Sequence, residues 1–173
     1  MKNYMKKILI CRHGKSSWED PYLSDHDRPL AARGLINTKE MARRLLSRSI
    51  KPDLALSSDA KRARDTAFFT FDILGINKEK IEQHASLFHA SANTILEHLQ
   101  MISDHINIVF LYGHNPGFNE LIWMLGGEID NLPTAGQYGF NLKVNKWSEI
   151  HKDKAEHWFY DFPKNNIQNL RTS

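Results

Sequence analysis

The stretch KKILICRHGKSSW, residues 6–18, sets a short apolar run directly ahead of Cys11, Arg12, His13, Gly14 and Lys15. Residues 7–11 (KILIC) read as a short buried strand. The groups that follow could meet a phosphate at the strand's carboxyl end, with a thiol beside them. Four readings are open at this point: nucleophilic cysteine, nucleophilic histidine, metal ligand and plain loop.

The rest of the chain repeats the pattern of strand, polar turn and helix. After a long polar loop, residues 14–30, a three-and-four spacing of Leu35, Thr38, Ala42, Leu45 and Ser49 predicts an amphipathic helix over residues 33–49, flanked by Met41 and Leu46. Trp18, Tyr22 and Leu23 suggest that the long loop packs against something. A strand over 53–57 leads to a helix from about residue 60 to 74, stopped by Gly75. Residues 81–87 suggest a short strand, and 91–101 a helix capped by Ser91. NIVFLY (107–112) is β-branched and aromatic, hence a central strand, and GHNPGFNELIWMLGG (113–127) turns into a helix. Segments 138–144 and 155–162 read as edge or antiparallel strands. This alternation implies an α/β fold, a three-layer α/β/α sandwich on a mostly parallel central sheet. Residues 1–163 are expected to form a single domain and 164–173 a polar tail.

Ligands in such sheets collect beyond the carboxyl ends of the strands. Arg12–His13, the segment from Ser57 to Arg62, and Gly113–His114 each follow a predicted strand.

Composition excludes several classes. The 173 residues are 25% charged and 41% hydrophobic, an ordinary globular balance, and the net charge of +3 is far from a nucleic-acid-binding signature. One cysteine rules out an internal disulfide framework, fits a reducing compartment, and leaves no zinc-module spacing. The amino-terminal apolar run is too short for a signal peptide, and no window approaches a membrane span. The expectation is a cytoplasmic monomer without cofactor, metal, nucleic-acid partner or membrane partner.

Chemistry narrows the four readings. A thiolate phosphatase loop needs an arginine six residues after its cysteine, and that place is Ser17. Asp25–His26–Asp27 has phosphoaspartate spacing but lies within a polar loop, and no Gly-rich nucleotide cradle is present. A neutral, aimed imidazole can attack phosphorus. Arginines suit the spread charge of a phosphate better than lysine does, and they help to keep a neighbouring imidazole neutral. His114, if cationic in the complex, would complete the clamp.

Arg12-His13-Gly14 after the first strand, SSDAKRARDTA (57–67) after the second and the later GHNPG together resemble the histidine phosphatase superfamily, with its phosphoglycerate mutase-like fold. RHGKSSW, SDHDRPL (24–30) leading into ARG, the 87–90 stretch LFHA and the later LPT are more similar to its SixA-type branch, the phosphohistidine phosphatases. The resemblance covers roughly residues 6–160. It implies a metal-independent phosphatase with His13 as nucleophile and Arg12, Arg62 and His114 binding phosphate. Arg62 is preferred to Arg64 because it stands directly before Ala63 and four residues before Thr66. The two arginines are also about 200° apart on a helix. Lys15, Ser57, His89 and Asn115 are further pocket candidates.

The departures from the family pattern carry information about the substrate. Mutase-like members place a glutamate acid near His89, where this chain reads SLFHAS (86–91), and commonly an asparagine where it has Glu19. A site lacking that acid suits an activated leaving group such as imidazole, whereas an alkoxide must be protonated. The expected substrate is phosphohistidine on a protein. The alternatives are small phosphoesters or nucleotide-linked metabolites, and a non-catalytic phospho-binding module. His89 is also a candidate acid, Lys15 is equally an ordinary solvated lysine, and Asp25, Asp27 and Arg28 read as capping the loop ahead of the first helix.

Overall fold

A computed structural model describes residues 6–165. Its elements are β1 (Lys6–Arg12), α1 (Ala32–Ser47), β2 (Leu54–Ser58), α2 (Lys61–Leu74), β3 (Ile81–His84), α3 (Ala92–Gln100), β4 (Ile108–Gly113), α4 (Gly117–Met124), β5 (Gln137–Leu142) and β6 (Ala155–Asp161). One six-stranded sheet runs β3-β2-β4-β1-β5-β6. The pairings among β3, β2, β4 and β1 are parallel, and β5 is antiparallel to both β1 and β6. The α/β/α sandwich expected from the alternation is therefore the observed one.

The period of two along β1 explains the three layers. Ile8 and Ile10 enter a core with Ile95 and Leu99 of α3 and Phe118, Leu121 and Ile122 of α4. Leu9 and Cys11 face the other way, onto Leu45 of α1 and Ala67, Phe71 and Leu74 of α2. Neighbouring strands repeat the division: Leu56, Val109 and Leu111 on the first face, Ala55, Phe110 and Tyr112 on the second. A strand buried on both faces reads as a continuous apolar run, which is what KILIC shows. Cys11 is buried, and burial pushes its thiol up, so it packs the strand and is no nucleophile at neutral pH.

Element ends follow local chemistry. Gly75 adopts the left-handed conformation at φ 65° and stops α2, while the Ser91 hydroxyl accepts from the Thr94 amide and starts α3. The segment expected as a strand over 81–87 pairs only to His84 and then becomes a 3-10 turn, Ala85–Leu87. Segment 138–144 falls on β5, which is interior to the sheet; β6 is the edge strand.

Helix α1 buries the middle of its predicted stripe, Thr38, Met41, Ala42 and Leu45, and departs from it at Leu46 and Ser49. The buried face is Gly34, Thr38, Met41, Ala42, Arg44 and Leu45, while Leu46 is exposed and Ser49 lies beyond the helix at φ 56°. The face takes in Arg44 because that residue has a buried partner. Its Nη1 meets the fully buried Asp161 at 3.0 Å, and Arg48 Nη2 reaches the other carboxylate oxygen at 2.8 Å. Arg44 also donates to the carbonyls of Phe162 and Pro163, which ties the chain after β6 to α1. Of the expected tail, residues 166–173 lie outside the described residues.

One further expectation fails. The loop over 14–30 does not bury its aromatics: Tyr22 is 96% exposed and Trp18 65%. Trp18 instead stacks on the Arg28 guanidinium, 3.7 Å from the ring centroid. The loop is held by main chain: Ser17 N donates to Pro29 O, Ala31 N to Lys15 O, and Lys61 N to His26 O.

The first turn of α1 requires glycine. A Cβ on Gly34 would lie 2.1 Å from Lys15 O and 2.8 Å from Lys15 N, both backbone atoms that cannot rotate away. Gly34→Ala should destabilise the protein by ~1–3 kcal/mol, the usual cost of overpacking a tight site. It should also displace Gly14 and His13. Urea unfolding measures the first effect; an unchanged midpoint would show that α1 and the loop separate freely.

Candidate active site

The ends of β1, β4 and β2 lie side by side, with Arg12 paired to Gly113 and Ser57 to Tyr112. Whatever follows these strands is delivered to one edge of the sheet, and that convergence assembles the site. Arg12, His13, Arg62 and His114 come together there; His13, Arg62 and His114 are buried.

His13 is held at both ring nitrogens. Nδ1 lies 2.7 Å from Gly14 O, and a carbonyl can only accept, so Nδ1 carries the proton and Nε2 presents its lone pair. Arg62 Nε–H donates to that Nε2 at 3.3 Å. Burial pushes the imidazole down to about 4, with the charges of Arg62 and Arg12 acting in the same direction and the Gly14 bond opposing them. Gly14 is fixed in turn, its amide donating to Thr66 Oγ1 at 3.0 Å while that hydroxyl donates to Arg62 O. The loop carrying the nucleophile candidate and the helix carrying Arg62 thus share one threonine.

His114 mirrors His13 across Arg62, with ring centroids 5.1 Å apart. Arg62 Nη2 donates to its Nδ1 at 3.4 Å, and its Nε2–H donates to Ser58 Oγ at 2.9 Å. Burial, then His13, Arg62 and His89, pushes His114 down to about 2. His114 is therefore neutral at pH 7, and the expected cationic form needs the charge of an arriving phosphate to favour it. Arg12 donates from Nη1 to Leu132 O at 2.8 Å, while its buried Nε has no partner among the described residues. Burial and Arg62 lower its guanidinium.

The further pocket candidates divide. His89 sits at φ 51° with its ring 5.3 Å from His114 and 4.1 Å from Phe88, and its Nε2–H donates to Asp25 Oδ2 at 2.8 Å. Asn115 Nδ2 donates to Asn131 Oδ1 and Leu132 O, fastening the same carbonyl that Arg12 uses. Lys15 is exposed, as a solvated lysine would be. Ser57 is buried and its hydroxyl bonds to Ser58 O, so it does not line the pocket. Alternation along β2 turns Ser57 to the Ala55 face and Ser58 to the Leu56 face, and Ser58 is the serine that meets His114.

Asp25 carries more than a loop cap. Its Oδ2 accepts from Arg62 Nη2 at 3.1 Å as well as from His89, and its backbone carbonyl accepts from Arg62 Nη1. Burial works to raise its pKa, but His89 and Arg62 hold the carboxyl below the usual range, hence ionised. Asp27 bonds within the loop, to Ser24 and His26, and Arg28 is buried against Trp18. Asp25, Ser58, Thr66 and Phe88 had not been picked out as pocket residues; only Thr66 carried a sequence signal, four residues after Arg62 on the same helix face. Among the described residues no group of three or more His, Cys, Asp or Glu side chains could hold a metal ion. Among the described residues no helix is long and apolar enough to cross a membrane.

A neutral imidazole facing a guanidinium at the ends of parallel strands is an arrangement suited to binding phosphate, and comparison with known proteins shows the family. Residues 8–87 match the model of the histidine phosphatase superfamily (branch 1). An uncharacterized chloroplastic protein of Arabidopsis thaliana is 32% identical over 152 residues, covering 83% of this chain and 70% of the relative. The chain belongs to the histidine phosphatase superfamily. Its fold matches the structure of the protein histidine phosphatase SixA complexed with tungstate at a TM-score of 0.76 and 21% identity, over 95% of this chain and 99% of that one. A mycobacterial glucosyl-3-phosphoglycerate phosphatase matches at 0.62 and 16%, over 91% and 98%.

Proposed function

We propose that this protein is a metal-independent phosphatase that removes phosphate from phosphohistidine on proteins. The observation that carries the reading is the tautomer of His13: Gly14 O holds the Nδ1 proton and leaves the Nε2 lone pair facing Arg62. Nε2 attacks phosphorus, the bond from phosphorus to the leaving nitrogen breaks, and the leaving ring, already protonated at its other nitrogen, departs as neutral imidazole. Water then attacks phospho-His13, releasing inorganic phosphate and restoring the neutral ring. Arg12, Arg62 and a His114 protonated by the phosphate's charge hold the oxygens in both steps. Tungstate, bound by the SixA protein of like fold, is a tetrahedral oxyanion of the same shape.

The leaving group is read from the carboxylate. Asp25 is the acid at the pocket, and it is ionised by Arg62 and His89, so it has no proton for an alkoxide. Imidazole needs less help, since its second nitrogen can already carry a proton. The test is kcat/KM on a phosphohistidine protein and on a panel of small phosphoesters, in excess chelator. Faster turnover of the phosphoesters would overturn the substrate assignment, and loss of activity in chelator would overturn metal independence.

A second reading, a phosphatase of small phosphoesters, is favoured by one feature: half-exposed His89 beside His114 could donate a proton when cationic. His89→Ala separates the two readings, because it would reduce turnover of alkyl phosphates and spare phosphohistidine. A non-catalytic phospho-binding module would bind phosphate without turnover. In the proposed reading residues 1–163 work as one domain, in which Arg44 ties the chain to α1 as far as Pro163, and the protein is a cytoplasmic monomer. Light scattering that gave a dimer would correct the last point.

The depressed pKa gives a pH prediction. In an NMR titration the His13 imidazole should protonate near pH 4 instead of the ordinary value of about 6.5. The folded state then binds fewer protons than the unfolded state between these values. His13's contribution to stability is full above about 6.5 and is lost as pH falls toward 4. A midpoint near 6.5 would mean that the site is solvated and the nucleophile is not held neutral by its surroundings.

A further inference from the structure

The long loop over 14–30 is unexplained by the chemistry so far, and so is the carboxylate it places at the pocket. Arg62 has two edges. Its lateral edge, Nε and Nη2, points at His13 Nε2 and His114 Nδ1, the two atoms between which a phosphoryl group would lie. Its terminal fork, Nη1 and the outer hydrogen of Nη2, is taken by Asp25, through the backbone carbonyl and Oδ2. A guanidinium is planar, so holding the fork fixes the direction of the lateral edge.

Resting on the reading of Arg62 as a phosphate ligand, we propose that Asp25 is the positioning residue for Arg62, clamping the terminal fork so that the Nε–Nη2 edge faces the phosphoryl site. Three observations support a built clamp. His26, the next residue, is fastened to the start of α2: its carbonyl accepts from Lys61 N, and its Nε2 meets Asp59 Oδ1 at 2.8 Å. The same Asp25 oxygen that accepts from Arg62 also accepts from His89, which ties the loop, α2 and the turn before α3 at one atom. Arg62 lies on Phe88, 5.8 Å from the ring centroid, so its plane is also limited from one face.

A carboxylate beside a phosphate site also has an opposite use, as an internal anion that competes for the arginine. The two uses predict opposite signs. In the clamp, Asp25→Ala keeps the backbone carbonyl on Nη1 but leaves the Nη2 side of the fork unheld, and kcat falls ~10–10²-fold, the scale of a misplacement of about 1 Å. Inorganic phosphate also binds more weakly by calorimetry. Asp25→Asn keeps an oxygen acceptor without the charge and should recover most of both losses. Because Asp25 is an exposed loop residue, the thermal midpoint should barely move, which separates positioning from folding.

Tighter phosphate binding and unchanged or faster turnover in Asp25→Ala would overturn the clamp in favour of competition. Equal loss in the alanine and asparagine variants would overturn it in favour of a purely electrostatic role. A wild-type protein that bound phosphate but did not release it from phosphohistidine would overturn the functional reading alone, and the phosphate arm would still judge Asp25.

Discussion

His13→Ala should lose turnover of a phosphohistidine substrate by ~10⁴-fold or more, the order seen when an activated nucleophile is removed. The covalent phosphoenzyme should vanish with it, in a quench at alkaline pH where the phosphorus–nitrogen bond survives. The reason is geometric. The lone pair of Nε2 faces the Nε–H of Arg62, while His114 is fastened at both nitrogens, to Ser58 and Arg62, His89 Nε2 is bonded to Asp25, and the Cys11 thiol is buried within the sheet. The fold should survive, because the His13 side chain makes only two hydrogen bonds, to Gly14 O and from Arg62, and lies outside both hydrophobic clusters. Labelling at near wild-type level in the alanine variant would move the nucleophile elsewhere.

Arg62→Ala should cost ~10³–10⁴-fold in kcat/KM, since one donor to a developing charge is worth ~10²–10³-fold and this side chain offers two from its lateral edge. Its removal has a second consequence. Arg62 lowers the pKa of both His13 and His114, so both imidazoles should titrate at higher pH in the variant. The Asp25 carboxylate would then keep only His89 as a hydrogen-bond partner. Arg62→Lys should restore little: an ammonium is a point charge and cannot hold His13, His114 and both oxygens of Asp25 in one plane. A loss smaller than tenfold in the alanine variant, or a His13 titration that does not move, would show that Arg62 is not the central ligand.

Much of this could be read in advance. KILIC announced a strand buried on both faces because such a strand has no polar side to show. The four converging groups were legible because each follows a strand, and parallel strands deliver their ends to one edge. Arg62 over Arg64 followed from the family pattern around Ala63 and Thr66, and helix geometry allowed only one of the two to face the pocket. What could not be read were partners chosen across the fold. Asp25 appeared as a loop polar residue, yet it lies 37 residues from the arginine it holds. Ser57 and Ser58 were indistinguishable until the register of β2 assigned each to a face. Helix α1 buries Arg44 beside its apolar stripe because Asp161, 117 residues distant, partners it.

The sequence by itself determined the layered α/β architecture and the chemistry available at the strand ends, because period and residue type act locally and need no partner. The tertiary structure decided which nitrogen of His13 is bare, that His114 is neutral, and that a loop carboxylate grips the fork of Arg62. Those properties arise from burial and from hydrogen bonds between distant segments, and burial is set only when the whole chain has closed around them.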